Sequence, residues 1–448
     1  MSITRRRFTT LGAAAAGATA LGALATGCGE GGGSGGGGGE SFTYWSMWQT
    51  GEDQQKVLAD EIEKFTAETG ITVDVQWSGR EVLGQVVPRL NAGNPPDLID
   101  NGSPDLQSKI GLENLLPIAD VYDMEILGEE GTTIADVVPE ALLPTMQNED
   151  GEAFMVPYEV IGSTLWFNAA VSPVFAKEPP ETWDDLVGQL ETLKGEGRTP
   201  IALDGDIADY CAYWLEWGIL RAGGAGTMLE AVQDASGEAF EGPAWTVATD
   251  NVEALLKAGF FPEGFQGTKF PTQQASWADQ TSKTDLILMG SWLPSETTAS
   301  ITQSGGDPES LEFGSFPFPS VGEDAGAGLA IAQPIGFAIP ATARKAEPAK
   351  KFMTWMLNKE RLSRIATEAK NLTPRTDVEA PPELAGFAEE YAGASETVLF
   401  ADGISVAEPQ WVTDTWQPAV IDLFGGKLSA AEFRARLAKE TVAYHEGS

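Results

Sequence analysis

Tryptophans at the ends of predicted strands and helices are the residues in this sequence with the clearest chemistry. The chain contains 13 tryptophans, and those at element ends are Trp45, Trp48, Trp166, Trp214, Trp217, Trp292, Trp411 and Trp416. An indole face stacks on the apolar C–H face of a sugar ring, while carboxylates and amides bind the ring's hydroxyl groups. Polar side chains of this second kind stand near the tryptophans at Gln49, Asp100, Asn101, Glu159, Asp204 and Asp206. The pattern favours a crevice for a neutral polyol, although packing in the core is the alternative for each tryptophan taken singly.

The supply of histidine and cysteine limits the reactions that this chain could catalyse. His445 is the single histidine and lies close to the C-terminus, so Ser-His-Asp chemistry, Cys-His chemistry and histidine-based zinc sites are excluded. Catalysis by a pair of carboxylates stays open, because glycosidases need only two acids. Cys211 lies among aromatic residues, so we expect a small buried side chain, with a reactive thiol as the alternative.

An acidic run at residues 204–209 could suggest a calcium loop. The run lacks the twelve-residue spacing and the terminal glutamate of an EF-hand. A polar turn that caps the following helix is the plainer interpretation. We therefore expect neither a metal ion nor a cofactor.

The charge and the length of the chain restrict its partners and its architecture. The 448 residues carry a formal net charge of -38. A surface this acidic repels nucleic acid, so nucleic-acid binding is excluded as a function. The part of the chain expected to fold is too long for one simple hydrophobic core, so two lobes are expected.

The first residues have the layout of a secretory signal. Three arginines, Arg5 to Arg7, precede an apolar segment at residues 11–26, and the segment 4–8 resembles a twin-arginine export signal. Residues 24–28 resemble a bacterial lipoprotein cleavage box that ends at Cys28, with Ala25 at a position where leucine is usual. An ordinary cleaved signal is the alternative. If Cys28 is lipidated, the glycine-rich residues 29–40 form a flexible tether to the outer face of the cell membrane, and the protein touches the membrane only through its lipid.

The pattern of apolar residues predicts an alternation of strands and helices, and therefore a largely parallel sheet. The first elements are a strand at 42–45, a helix at 53–69, a strand at 71–77 and a helix from Val82 to Leu90. Residues 151–168 form a long extended stretch that could pass from one lobe to the other. Thr182 begins a helix with a capping-box pattern. Residues 221–244 are expected to be an irregular, glycine-rich excursion.

Several motifs in order along the chain resemble the bacterial extracellular solute-binding proteins of sugar ABC transporters, the maltose-binding-like family. These motifs are LNAGNPPDLIDNGS at 90–103, FMVPYEVIGSTLWFN at 154–168, PPETWDDLVGQLETLKGEGRTPIAL at 179–203 and TDLILMGSW at 284–292. The resemblance implies an α/β, two-lobed periplasmic-binding-protein fold of type II that closes on its ligand like a hinged trap. It also implies a monomeric binder, not an enzyme, that delivers a small-molecule sugar to a membrane permease.

The resemblance further implies domain boundaries and site residues. Residues 1–28 would be the signal peptide, 29–40 the tether, 41–157 with 336–380 the N-terminal lobe, and 158–335 with 381–448 the C-terminal lobe. The ligand-binding residues that it implies are Trp45, Trp48, Asp100, Asn101, Glu159, Tyr213, Trp214, Trp292, Arg375, and Trp411 or Trp416. Gln49 and Asp204 are added to this set because they stand near the tryptophans in the sequence. Binding of another solute, such as a polyamine, a peptide or a metal, and a carboxylate-based carbohydrate-active enzyme remain the alternatives.

Overall fold

The computed structural model of the protein describes residues 40–148, 150–281, 283–305, 307 and 310–447. The predicted signal peptide, Cys28 and residues 29–39 of the predicted tether lie outside the described residues. Within the described part of the chain, no helix is both long and apolar enough to span a bilayer.

The strands are short and most of them are buried. In chain order they are β1 (Ser41–Ser46), β2 (Thr72–Trp77), β3 (Leu98–Gly102), β4 (Val156–Ile161), β5 (Ser163–Asn168), β6 (Ile201–Ala202), β7 (Leu286–Gly290), β8 (Phe313–Phe316), β9 (Leu329–Ile331), β10 (Gln333–Ala338) and β11 (Glu396–Val398).

Two sheets organise the described residues, and a small two-stranded sheet joins β11 to β9. The first sheet has the strand order β2-β1-β3-β10-β4, and the second has the order β6-β7-β5-β8. In the first sheet β2, β1 and β3 are parallel, whereas β10 runs antiparallel to both of its neighbours. In the second sheet β5 runs antiparallel to β7 and to β8. The prediction of a largely parallel sheet is confirmed for β2, β1 and β3 and for the parallel pair β6 and β7. It was wrong for β10, which returns from a distant part of the chain, and for β5, which is antiparallel to both of its neighbours.

Helices connect the strands. They are α1 (Asp53–Thr69), α2 (Val82–Asn91), α3 (Ser103–Asp105), α4 (Ala119–Tyr122), α5 (Pro173–Lys177), α6 (Trp183–Gly195), α7 (Ala208–Gly223), α8 (Thr227–Gln233), α9 (Pro243–Ala258), α10 (Thr272–Ala278), α11 (Leu293–Ser304), α12 (Ala346–Met356), α13 (Lys359–Glu368), α14 (Ala385–Gly393), α15 (Ile404–Ala407), α16 (Pro409–Trp411), α17 (Gln417–Phe424) and α18 (Ala430–Gly447). Shorter 3₁₀ and π turns lie at Leu106–Ile110, Leu112–Asn114, Glu140–Met146, Glu238–Glu241, Phe265–Gly267, Pro382–Leu384, Phe400–Gly403 and Val412–Trp416.

Local sequence signals explain where several of these elements begin and end. The predicted helix at 53–69 is confirmed, and Gly70 ends it in the left-handed conformation with a φ of 74°. The capping box predicted at Thr182 is also confirmed, because the Thr182 side chain accepts from the backbone N–H of Asp185 and the Asp185 side chain accepts from that of Thr182.

The segment at 221–244 differs from its prediction. It contains the helix α8 and the turn Glu238–Glu241, and it leads directly into α9. Asp402 explains part of this order, because its buried carboxylate accepts hydrogen bonds from the backbone N–H groups of Gly226 and Met228 at the start of α8. A residue far along the chain therefore fixes a helix that local composition did not reveal.

The chain passes from the first sheet to the second at Gly162, between β4 and β5. A Cβ atom at this position would lie 2.0 Å from the carbonyl oxygen of Ile331 and 2.6 Å from the ring of Phe387, so the close passage requires glycine. The predicted lobe boundary between residues 157 and 158 falls inside β4. The five boundaries assigned from the sequence remain a prediction.

Candidate functional site

A cavity of about 460 Å³ lies between the two sheets. Its floor and one wall come from the first sheet and the loops at its edge, and the opposite wall comes from α7 and the start of α11. The lining residues are Met47, Trp48, Glu52, Gln54, Arg80, Glu159, Ile161, Tyr210, Trp292, Ser295, Glu296, Ile335 and Asn371. Three of the residues predicted from the sequence line this cavity, namely Trp48, Glu159 and Trp292.

Trp48 is held in place by a chain of hydrogen bonds that ends at a buried carboxylate. Its Nε1 donates to the hydroxyl of Tyr158 at 2.7 Å, and that hydroxyl donates to Oδ2 of Asp100 at 2.8 Å. Since Tyr158 is on β4 and Asp100 is on β3, two strands of the first sheet fix the position of this indole. Trp48 lies in the loop after β1, and the hydrogen bonds from its ring to the sheet hold its side chain in position.

Asp100 is committed to the structure and does not face the cavity. Besides Tyr158, its carboxylate accepts from the hydroxyl of Tyr44 at 2.6 Å, the backbone N–H of Met47 at 2.7 Å and the hydroxyl of Ser46 at 3.1 Å. Burial raises the pKa of Asp100 above its ordinary value, while the tyrosine and backbone donors lower it. Asp100 therefore supports Trp48. The predicted direct contact between Asp100 and a ligand is not seen, because donors of the protein itself occupy the carboxylate and Asp100 does not line the cavity.

The guanidinium of Arg80 covers the indole of Trp48. Its carbon lies 4.3 Å from the ring centroid, which is within the range of a cation–π contact. Arg80 also donates to the carbonyl oxygen of Met47 at 2.7 Å and pairs with Glu52 at 3.2 Å. The first wall of the cavity is therefore an indole and a guanidinium stacked together, with an acid at the rim.

The opposite wall is aromatic and is centred on Trp292, which follows β7 and begins α11. Its ring lies against the backbone of Gly290, and the ring of Phe400 lies 6.2 Å from it between centroids. Phe400 in turn stacks on Tyr213 at 5.4 Å, and Tyr213 lies 5.8 Å from Tyr210. Tyr213 is buried behind this wall, so it supports the cavity without lining it.

Replacing Gly290 with alanine is expected to shift the Trp292 indole and to weaken ligand binding severalfold. A Cβ atom at Gly290 would lie 2.3 Å from two atoms of the indole, so the ring must move. Calorimetric titration and the tryptophan fluorescence spectrum would measure the change. Gly188→Ala in α6 is the matched control, because its Cβ would meet nothing within 4 Å. An unchanged affinity in Gly290→Ala would show that the ring's position is not important.

The floor of the cavity carries a buried acid and a buried amide. Glu159 on β4 accepts a hydrogen bond from Nδ2 of Asn371 at 2.8 Å. Burial raises the pKa of Glu159 to about 8, while the neighbouring Gln54 amide and the Arg80 charge lower it. Near neutral pH this carboxyl therefore carries its proton for most of the time.

The large aromatic residues predicted for the late part of the site lie in the core. Trp411 and Trp416 are buried and stack on each other at 6.2 Å, with Phe240 6.0 Å from Trp411. Trp214 is buried between Phe261 and Phe318. The predictions that Trp411, Trp416 and Trp214 line the cleft were wrong, because each indole faces the apolar interior of the second sheet's helices.

Two charged residues predicted for the site have structural partners elsewhere. The buried Asp204 accepts from the backbone N–H groups of Gln273 and Gln274, and it therefore caps α10. Arg375 is buried and donates to Glu129, to Asp377 and to the carbonyl oxygen of Leu357. Neither residue lines the cavity between the sheets, so the predicted ligand contacts of Asp204 and Arg375 were wrong.

Three more predicted residues lie near the first wall but do not line it. Trp45 packs toward α2, where the Arg89 guanidinium lies 5.7 Å from its ring. Gln49 is exposed, and its backbone N–H donates to Glu52. Asn101 is buried, and its side chain accepts from the backbone N–H of Gly102. Trp45 is on β1 and Trp48 lies in the loop after that strand, so the two indoles do not share a wall.

The residues that the sequence analysis missed are Arg80, Glu52, Tyr210, Glu296 and Asn371. Arg80 comes shortly after the end of β2, so the rule that singled out the end of β1 could have found it as well. Asn371 comes from a loop far along the chain, and no local pattern connects it to Glu159. A larger surface groove of about 1060 Å³ runs along α6, but its described lining includes no aromatic side chain.

Comparison with known proteins gives the family. A family model described as bacterial extracellular solute-binding protein matches residues 48–361, which is more than half of the chain. The chain belongs to this family. This solute-binding protein has its cavity where the two sheets meet, and the match includes strands of both sheets although it begins after β1.

Two curated relatives align with parts of this solute-binding protein. The diacetylchitobiose binding protein NgcE of Streptomyces coelicolor is 28% identical over 218 residues, an alignment that covers 48% of this chain and 45% of that protein. The osmoprotective compounds-binding protein GgtB of a Synechocystis species is 29% identical over 156 residues, which is 34% of each chain. The alignments therefore span less than half the length of either relative.

A solved structure of a chitin oligosaccharide binding protein has the same fold. It aligns with a TM-score of 0.67 at 22% identity, and it covers 90% of this chain and 98% of its own. This confirms the predicted α/β, two-lobed fold of the binding-protein type. At this level of identity the likeness concerns the fold alone.

Proposed function

We propose that this protein binds a sugar or an oligosaccharide outside the cytoplasm and delivers it to the permease of an ABC transporter. The observation that carries the proposal is the cavity between the sheets, which has an indole on each side, Trp48 and Trp292, above a polar floor. Aromatic faces together with hydroxyl-binding polar groups suit a sugar ring. The relatives named for diacetylchitobiose and chitin oligosaccharide binding support the same class of ligand.

The cavity favours binding over catalysis. Glu52 is paired with Arg80, and Glu296 accepts a hydrogen bond from the Gln274 amide at 2.9 Å. Glu159 accepts from Asn371, so each acid that lines the cavity already has a neighbour that orients it. The family and its structural neighbours are binding proteins. We therefore propose that the bound sugar leaves unchanged.

Export and anchoring follow from the N-terminal sequence and belong to the same proposal. The segment 4–8 would direct twin-arginine export, and Cys28 would carry the lipid that holds a monomer at the outer face of the membrane. Metabolic labelling with a palmitate analogue tests the anchor. Label that is present in the wild type and absent in Cys28→Ser supports it, whereas equal label in both proteins overturns it.

A titration of residues 41–448 against a panel of ligands tests the binding function. The panel contains diacetylchitobiose, maltotetraose, stachyose and galactose, with spermidine, a tripeptide and calcium as controls. A ligand that binds only the folded state adds about 2.7 kcal/mol to its stability at a hundred times the dissociation constant, which a thermal shift detects. A shift with at least one sugar is expected. A shift only with a control would replace the sugar by that class of solute, and detection of a cleaved glycan would replace binding by catalysis.

A further inference from the structure

Two buried acceptor atoms in the floor of the cavity lack a hydrogen-bond partner among the described residues. They are Oε2 of Glu159 and Oδ1 of Asn371. Glu159 is 1% exposed and Asn371 is 5% exposed. A buried polar atom without a partner costs about 1–3 kcal/mol. Because two such atoms lie together and both residues line the cavity, we expect a ligand to satisfy them.

The hydrogen bond between the two residues fixes which atoms they offer. Oε1 of Glu159 is already occupied by Nδ2 of Asn371, so the proton of the neutral acid belongs on Oε2, the atom without a partner. Several ionisable groups surround this carboxyl. Burial is the main cause of its raised pKa, and the charges of Asp100 and Glu52 raise the pKa further, whereas the Gln54 side chain and the charge of Arg80 lower it. The other titratable groups on the elements around it are Tyr158, Tyr210 and Glu296.

We propose that Glu159 and Asn371 form one subsite that accepts hydrogen bonds from two neighbouring hydroxyl groups of the sugar, and that Glu159 gives up its proton to solvent when the sugar binds. The inference rests on the proposed function and names a second property of the same site. A hydroxyl that donates to Oε2 stabilises the carboxylate and needs no proton on that oxygen. Oδ1 of Asn371 can accept a hydrogen bond whether Glu159 is protonated or ionised, so it binds the second hydroxyl.

The consequence is an affinity for sugar that depends on pH. In the empty site the pKa of Glu159 is about 8, and the bound sugar lowers this pKa. Between the two values binding releases a proton, so the affinity rises with pH and levels off above the pKa of the empty site. A fall of one pKa unit on binding corresponds to about a tenfold gain in affinity over this window.

Titration calorimetry at about pH 6, 7, 8 and 9, with each panel sugar that binds, tests the proposal. We expect the affinity of the wild type to rise about tenfold between pH 6 and pH 9, with the steepest part of the rise between the two pKa values. Buffers of different ionisation enthalpy should show release of up to about one proton per sugar near pH 7. Glu159→Gln should remove both the slope and the proton release, and Asn371→Leu should weaken binding about fivefold to tenfold, as expected for the loss of a hydrogen bond to a sugar hydroxyl.

Glu216→Gln is the matched control. Glu216 on α7 is also buried with its pKa raised to about 8, but it accepts from the backbone N–H of Ala401 and does not line the cavity. Its replacement should leave the pH dependence of binding as in the wild type. Melting temperatures of all variants confirm that they are folded.

The outcomes separate this inference from the proposed function. Sugar binding with an affinity independent of pH, or a slope that survives in Glu159→Gln, overturns the inference alone. That result would mean that the acid and the amide satisfy each other and that the sugar does not reach them. If no sugar binds at any pH, the proposed function fails and the subsite fails with it.

Discussion

Replacing Trp292 with alanine is expected to weaken sugar binding about thirtyfold or more while the protein stays folded. An aromatic side chain that anchors a ligand in a desolvated pocket contributes about 2 kcal/mol or more, which corresponds to that factor in the dissociation constant. Trp292 is only partly buried and forms one wall of the cavity, so its removal leaves the two cores intact. Calorimetric titration with the sugar found in the panel measures the loss, and a thermal melt checks the fold.

Trp411→Phe is the control that distinguishes the loss of a cavity wall from a loss of stability. Trp411 is fully buried, and its Nε1 donates to the hydroxyl of Thr441 at 2.9 Å. The variant should melt at a lower temperature and bind sugar with the affinity of the wild type. If Trp292→Ala binds as tightly as the wild type, Trp292 is not in the site. Equal losses of affinity in both variants would point to stability as the common cause.

The order of the elements could be predicted from the sequence because their signals are local. The spacing of Val57, Leu58, Ile62 and Phe65 marks the apolar face of α1, and Gly70 ends that helix. The helix α2 formed in spite of Pro88, since its apolar face at Val82, Leu83 and Val86 is buried. The helices α8 and α9 escaped prediction because glycine and alanine around them hide the apolar period, and their order depends on contacts with residues far along the chain.

The aromatic half of the site could be predicted only in part. A tryptophan that follows a strand can face the cavity, as Trp48 and Trp292 do, or the core, as Trp411 and Trp416 do. No local pattern shows which face a loop presents, because the residues that pack on Trp411 and Trp416, Phe240 and Phe433, come from separate parts of the chain. The composition therefore indicated that tryptophans line the cavity, but several of the tryptophans assigned to it lie in the core.

The polar half of the site depends on partners that only the fold brings together. Asp100 has the sequence position of a ligand-binding residue, at the end of a strand, but four donors from β1, from Met47 directly after it and from β4 occupy its carboxylate. Asn371 reaches Glu159 across 212 positions of sequence. Neither arrangement leaves a local pattern, so residue type alone does not distinguish an acid that supports the site from one that lines the cavity.

Replacing Asp100 with alanine is expected to lower the free energy of unfolding by about 3–5 kcal/mol, a large effect for one substitution. The variant leaves the hydroxyls of Tyr44, Tyr158 and Ser46 and the backbone N–H of Met47 buried without their acceptor. Urea denaturation followed by fluorescence measures the loss. Asp136→Ala is the control for removing an acid, because Asp136 is exposed and bonds only within its own turn, to Thr133. If Asp100→Ala is as stable as the wild type, the hydrogen bonds to Asp100 contribute little to the free energy of unfolding.

Asp100→Asn and Tyr158→Phe should divide this effect between the fold and the site. The tyrosines and Ser46 donate to Oδ2, whereas Met47 donates to Oδ1. The amide of asparagine has one oxygen, so it can accept at only one of these two positions and places its NH₂ group against a donor at the other. Asp100→Asn should therefore be intermediate in stability between the wild type and Asp100→Ala. Tyr158→Phe keeps the three other donors on Asp100 but removes the acceptor for Trp48, so it should lower the affinity for sugar more than the stability. An unchanged affinity in Tyr158→Phe would mean that Arg80 and the cavity walls hold the Trp48 indole without the chain of hydrogen bonds to Asp100.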